Sequence, residues 1–384
     1  MSTTSPRHLV IASEQRLDRE LASRVQSDVD ALGRPYSRLS AHFQSTTIVS
    51  RASDMPDAIG PVQIRSLPDF RGIGGMLRQG WALFQAARDV LHDADLVVIP
   101  VPSFATLPIW FAARARGVPW IAHVVGDSGE VPRTLGMRGA GIWGSISAAV
   151  SRNQVNGAVG VWYVTREVLQ GRYQAHPVSL VASNVSITDE WFAPPRARRA
   201  DERCRIVFVG SLERPYKGLD VLLRALAAIG AAASWSLDVI GDGELRGDLT
   251  RQATSLKVDG SVTWHGQLSR EEVRKVLQDA HVFVMPSLTE GLPRALVEAM
   301  ASGLACVGTR VGGIPELLPA EALIEPGDTE SLAAAISRLI VDENYRQQLA
   351  QRCHEESRRY ARGELEARID EFAAEVVATL GRPR

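Results

Sequence analysis

HVFVMPSLTEGLPRALVEAM, residues 281–300, passes from a strand to a helix through a short loop and carries two carboxylates, Glu290 and Glu298. The apolar run 281–285 has the length of a buried strand, and Pro286-Ser287 breaks it. Proline suits the first helical position, where its missing N–H costs nothing, so the helix is expected to begin at Pro293. Glu290 then lies in the loop at the carboxyl end of a strand, the edge at which open α/β sheets take ligands. Glu298 falls about a turn and a half into the helix. Between them, Glu290-Gly291-Leu292 sets backbone N–H groups at a helix N-terminus, a ready anion site. Phosphates at the turn with hydroxyls to either side is the layout of a nucleotide sugar.

Outward from this segment the same alternation continues. Apolar stretches at 205–209, 236–240, 261–264, 282–285, 305–307 and 322–324 read as short strands, with helical patterns at 218–228, 270–278 and 329–339 between them. Such alternation implies a parallel sheet covered by helices on both faces. The N-terminal half repeats it with strands near 8–12, 95–99, 120–125 and 161–164. Each half has the size of a Rossmann-like domain. Trp191-Phe192-Ala193-Pro194-Pro195 and the charged RARRADER (196–203) read as an exposed linker. The expected domains are therefore 1–190 and 203–363, with a closing helical segment at 364–384.

The 384 residues, 45% hydrophobic and 23% charged, predict two or three globular domains. A formal net charge of −1 argues against general nucleic-acid binding. The charge is uneven, however: residues 1–200 hold 21 Arg and no Lys against 16 acids, and the remainder is net acidic. Surplus arginine there would suit an anionic surface or a phosphorylated acceptor, unless it is only scattered over a solvated surface. Only three lysines (217, 257, 275) occur, so Lys217 in Tyr-Lys-Gly is singled out as needing a compact ammonium. Cys204, Cys306 and Cys353 are widely spaced without CxxC, and the eight histidines contain no HxxxH, so neither disulfides nor a metal site is expected. MSTTSPRHLVIAS is too weakly apolar for a signal peptide. The run 96–113 is broken by prolines at 100, 102 and 108 and reads as strand, loop and helix, not as a membrane span. A cytoplasmic protein is the expectation.

The quoted segment resembles the E-x7-E signature of retaining glycosyltransferases of the GT-B fold, specifically the large family 4. The resemblance extends through FVGSLERPYKGLDVLLRAL (208–226), VIGDGEL (239–245), VTWHGQLSREEV (262–273) and TRVGGIPELL (309–318), in the family's order. It implies two Rossmann-like domains facing each other across a cleft, an N-terminal domain for the acceptor and a C-terminal domain for the nucleotide sugar. It also implies a last helix crossing back to the N-terminal domain. The reaction implied is transfer of a hexose-like sugar from a nucleotide diphosphate donor, most commonly a UDP-sugar, with retention, without a metal or cofactor. The acceptor would be a sugar, a lipid-linked molecule or a small molecule.

By the same resemblance, Glu290 would touch donor-sugar hydroxyls and Glu298 the ribose hydroxyls, work suited to carboxylates because they accept from vicinal diols. Lys217 would clamp the diphosphate, with Gly291 and Leu292 offering N–H groups to it. Gly241 and Gly243 would permit close backbone approach. The family's G-R-L-x-x-x-K-G reads here Gly210-Ser211-Leu212-Glu213-Arg214-Pro215-Tyr216-Lys217-Gly218, so Arg214 would replace the arginine lost at Ser211. His123 and Asp127, after a strand in the N-terminal half, would lie near the reaction centre. The bland alternatives are a solvated helix-start charge for Lys217, a helix-surface acid for Glu298 and a structural histidine for His123. Two departures stand out. The first strand runs into Ser13-Glu14-Gln15 without the family's glycine pair, and the family's Asn-Gly is Asn184-Val185. The segment 131–154 is read as an acceptor-side loop and helix, with peripheral docking on the inner membrane face as the alternative. Rival readings of the whole chain are a GT-B nucleotide-sugar epimerase and a degenerate homologue that binds nucleotide or a partner without turnover.

Overall fold

Successive residues of the first strand pack to opposite sides of its sheet. Leu9 and Ile11 join one apolar cluster and Val10 and Ala12 another, the period of a strand buried on both faces. Leu96 and Val98 against Val97 and Ile99 repeat the pattern in a neighbouring strand. The computed structural model describes residues 8–17, 36–51, 62–70, 72–126, 140–173, 175–183, 185–230 and 234–380, together with Ala22, Val25 and Val29. The chain divides into two units, residues 1–184 with 365–384, and residues 185–364.

In the first unit, β1 (His8–Arg16), β2 (Ser45–Arg51), β3 (Val62–Leu67), β4 (Leu96–Val101), β5 (Trp120–Val124), β6 (Gly160–Tyr163) and β7 (Ser179–Val181) form a sheet in the order β3-β2-β1-β4-β5-β6-β7. Every pairing is parallel. β2, β3 and β7 lack the apolar run that marked the others. β2 buries hydroxyls that find partners: Thr47 Oγ1 lies 2.8 Å from His8 Nε2, and Ser50 Oγ donates to Gln15 O at 2.6 Å. β3 and β7 are edge strands, with less surface to bury. β1 does not end at Ala12 as expected; after an irregularity it runs on to Arg16, which pairs with Arg51 of β2. The stretch around residue 100 is a strand followed by the helix Leu107–Arg116. The last helix, Arg362–Leu380, buries Leu365, Ile369, Phe372, Ala373 and Val376 in the core of this unit, one helical stripe.

In the second unit, β8 (Cys204–Val209), β9 (Trp235–Ile240), β10 (Val262–Gly266), β11 (Val282–Met285), β12 (Ala305–Thr309) and β13 (Leu323–Ile324) form a sheet in the order β10-β9-β8-β11-β12-β13, the doubly wound order of a dinucleotide-type fold. All its pairings are parallel, and one continuous apolar cluster fills both faces.

The expected exposed linker is corrected at its start: Trp191 is 1% exposed, the Ala193 N–H donates to Ala301 O at 3.0 Å, and Arg196 pairs with Glu202 at 2.8 Å, whereas Pro194, Ala197, Arg199, Ala200, Asp201 and Arg203 are exposed as expected. The proline pair and charges suggested solvent, but Trp191 carries more apolar surface than a linker would leave in water. The division between units falls at 184/185.

Candidate active site

β8 and β11 are neighbours in the second sheet, and the chain leaves them towards opposite edges, β9 on one side and β12 on the other. This reversal opens a crevice at the strands' carboxyl ends. Two loops meet there. After β8 the chain makes a short turn, Pro215–Lys217, and Gly218 in the left-handed region (φ 71°) leads into the helix Leu219–Ile229. Lys217 therefore closes the turn before the helix; it does not open the helix. After β11 the chain runs to Pro293, which is extended and stands at the N-cap of the helix Arg294–Ala301, so the helix begins one residue later than expected.

The loops are joined by an ion pair. Lys217 Nζ donates to Glu290 Oε1 at 2.6 Å, and both side chains are largely buried. Ser287 Oγ donates to the same oxygen at 2.7 Å, and Thr309 Oγ1 holds Ser287 through its carbonyl at 2.5 Å. The Leu288 N–H donates to Tyr216 O at 2.7 Å, and the Tyr216 ring lies 5.1 Å from Lys217 Nζ. Lys217 is thus no solvated surface charge. The Glu290-Gly291-Leu292 turn is fixed by the loop after β12: Gly313 N–H donates to Gly291 O at 2.7 Å. Gly312 there has φ 51°, and a Cβ would stand 1.9 Å from Glu290 O. The Gly291 and Leu292 N–H groups donate to no acceptor among the described residues, which leaves the anion site expected of this turn available.

Glu298 lies in the middle of the helix Arg294–Ala301 and is 6% exposed, so it is not a helix-surface acid. Burial pushes its carboxyl above the ordinary carboxylate range, and Arg270 and Arg294 counter this in part. Arg270 Nε lies 3.5 Å from Glu298 Oε1. Arg214 is exposed and lines one depression with Ser211, Lys217 and Gly218, so both cations border the same space. Gly241 and Gly243 serve protein packing. A Cβ on Gly241 would meet Gly210 O at 1.9 Å, and one on Gly243 would meet the Leu212–Glu213 backbone at 2.3 Å. The close approach expected of these glycines is to the loop that carries Lys217.

His123 belongs to the first unit, in β5, and is fully buried. Its Nδ1 lies 2.9 Å from Tyr36 Oη, and its ring stacks on Trp162 at 4.5 Å between centroids. Asp127, Asn184 and residues 131–139 lie outside the described residues. Sequence reasoning missed Ser287, Tyr216 and Arg270. Ser287 was counted only as a strand breaker, and Arg270 sits in the capping box Ser269–Glu272, a pattern that explains a helix start without pointing to a site. Among the described residues no group of three or more His, Cys, Asp or Glu could hold a metal ion, and no helix is long and apolar enough to cross a membrane.

The two doubly wound parallel units define the GT-B class, and solved structures share the architecture. A sucrose-phosphate synthase from Thermosynechococcus elongatus superposes with a TM-score of 0.72 at 18% identity, over 97% of this chain and 100% of that one. Anabaena HepE in complex with UDP-glucose gives 0.68 at 16%, over 97% and 99%. Residues 203–342 match the family described as Glycosyl transferases group 1. Among curated relatives, Protein CapJ of Staphylococcus aureus is 23% identical over 75% of this chain and 73% of its own length. The MMP alpha-(1->4)-mannosyltransferase of Mycolicibacterium hassiacum is 30% identical over 44% of this chain, which spans only 41% of that relative.

Proposed function

We propose that the protein transfers a hexose-like sugar from a nucleoside diphosphate donor to an acceptor hydroxyl with retention of configuration. The observation that carries this is the Lys217–Glu290 pair, 2.6 Å apart at the strand ends where β8 and β11 diverge. In the step, the bond between the anomeric carbon and the β-phosphate oxygen breaks while a bond to the acceptor oxygen forms on the same face. The acceptor proton passes to the leaving phosphate oxygen, so no enzyme nucleophile is required. Negative charge grows on that phosphate, and a preorganised cation and N–H groups lower the barrier most where charge develops.

Lys217, Arg214 and the Gly291-Leu292 turn would hold the diphosphate. Glu290, fixed by Ser287 and Lys217, would accept from donor-sugar hydroxyls, and Glu298 from the ribose. A UDP-sugar is favoured as donor because HepE, similar in fold, is described in complex with UDP-glucose. The acceptor is taken as a sugar, a lipid-linked molecule or a small molecule, with peripheral contact to a membrane through the first unit and a cytoplasmic location.

The test is a thermal-shift screen against UDP-, GDP-, ADP- and dTDP-sugars with Glu298→Ala as control. Ligand at about a hundred times its dissociation constant adds about 2.7 kcal/mol. A shift with one base, lost in the variant, is the expected result. No shift with any of them overturns the donor-site assignment and leaves a homologue without turnover.

A further inference from the structure

Glu298 draws the larger part of its countercharge from outside its own helix. A buried carboxylate needs a cation or donors, and Arg270, first residue of the helix Arg270–Gln278, brings its Nε to 3.5 Å from Glu298 Oε1. The guanidinium is held on two further sides. It lies 5.3 Å from the Trp191 ring centroid, and Nη2 donates to Ser186 O at 3.3 Å. Arg274 Nη1 and Gln278 Nε2 of the same helix donate to Glu190 O at 3.2 and 3.0 Å, so residues 186–191 and this helix form one frame. Starting the helix does not require Arg270, because Ser269 and Glu272 already cap it. Its side chain remains 50% exposed, so the guanidinium reaches from solvent to the buried carboxylate.

We infer that Arg270 is a positioning residue of the nucleotide site, holding Glu298 ionised and oriented so that its carboxylate accepts from the vicinal ribose hydroxyls of the donor. This rests on the donor-site reading proposed above. The charged groups around Glu298 are few. Arg294 stands on its own helix, and His354 of the helix Glu343–Ser357 bonds Ala301 O at the far end, at 3.0 Å. The adjoining strands β11 and β12 bring apolar side chains, Thr309 and the buried Cys306 thiol. Burial alone would keep Glu298 protonated to higher pH, and among the described residues Arg270 is the cation within 4 Å that opposes it. A protonated carboxyl would compete poorly for the diol.

The experiment is calorimetric titration of whichever of UDP, GDP, ADP and dTDP binds wild type, at a series of pH values from mildly acid to mildly alkaline, because a carboxyl raised by burial loses its charge from the acid side first. Arg270→Met is expected to bind about tenfold more weakly at the alkaline end and about a hundredfold at the acid end. Arg270→Lys should recover most of the loss. Arg270→Gln keeps donors without the charge; it should lose affinity on the acid side as the Met variant does, and it carries the test if that variant does not fold. Glu298→Gln should bind weakly with no acid limb. A loss equal at all pH values, or affinity unchanged in the Met and Gln variants, overturns the role of Arg270 while leaving the donor site standing. Failure of wild type to bind any nucleotide overturns the donor-site reading, and this inference with it.

Discussion

Lys217 and Glu290 hold each other at 2.6 Å with little exposure, so removing one strands the other. Lys217→Ala should lower transfer by about two to three orders of magnitude, through loss of charge at the leaving phosphate. The same change leaves a buried carboxylate unpaired and should destabilise the fold by about 3 kcal/mol. Pairing it with Glu290→Gln should restore much of the stability but none of the activity. Initial rates and urea midpoints of the two single variants and the double variant check this; recovery of activity in the double variant would refute the assigned roles. Residue types and spacing pointed to this pair. The contact itself arises only because two loops 73 positions apart converge.

At the scale of elements, the loop after β8 is packed so tightly against the turn after β9 that side chains are excluded. Gly241, at φ 132°, faces Gly210 O where a Cβ would sit 1.9 Å away. Gly241→Ala should therefore cost about 1–3 kcal/mol, whereas Gly260→Ala, with nothing within 4 Å of its Cβ, should be nearly neutral. Denaturant titration of both separates them. The start of β11 carries a second strain on stability. His281 has a buried side chain; its Nδ1 accepts from the Arg205 N–H at 3.0 Å, and Nε2 lies 2.8 Å from Arg196 Nη1. Burial, partly offset by Glu202, lowers its pKa from 6.5 to about 4. The unfolded chain thus takes up this proton first. Stability attributable to His281 is present above pH 6.5 and is lost as pH falls from 6.5 towards 4, by about 1–3 kcal/mol. His281→Gln should flatten that slope in a series of pH-dependent melts; an unchanged slope would assign it to other groups.

At the scale of the whole molecule, the chain ends in a helix that completes the first unit. Leu365, Ile369, Phe372, Ala373 and Val376 fill its core beside Leu9, Ile11 and Trp162. Deleting residues 362–384 removes several fully buried side chains, each worth about 1.5–3 kcal/mol, which exceeds the margin of an ordinary domain. The truncated chain should lose the first unit to limited proteolysis while a fragment covering β8 to β13 persists. Protection of both units would show that the helix is dispensable.

Local sequence determined most of the second unit. The strand at 282–285, the helix at 270–278 and the carboxylates eight positions apart were legible because short apolar runs, a helical pattern and a loop-to-helix junction are local signals. The Ser-Thr-Thr strand β2 was not legible, since its hydroxyls become tolerable only beside His8 and Gln15. Nor was the burial of Trp191, where neighbouring prolines and charge argue for solvent until its ring finds the second unit's core and Arg270 closes over it. Tertiary structure alone decided that Gly241 and Gly243 admit protein backbone, and that Glu298 takes its cation from another helix. Burial and countercharge are properties of the space around a residue, which neighbours distant in sequence create.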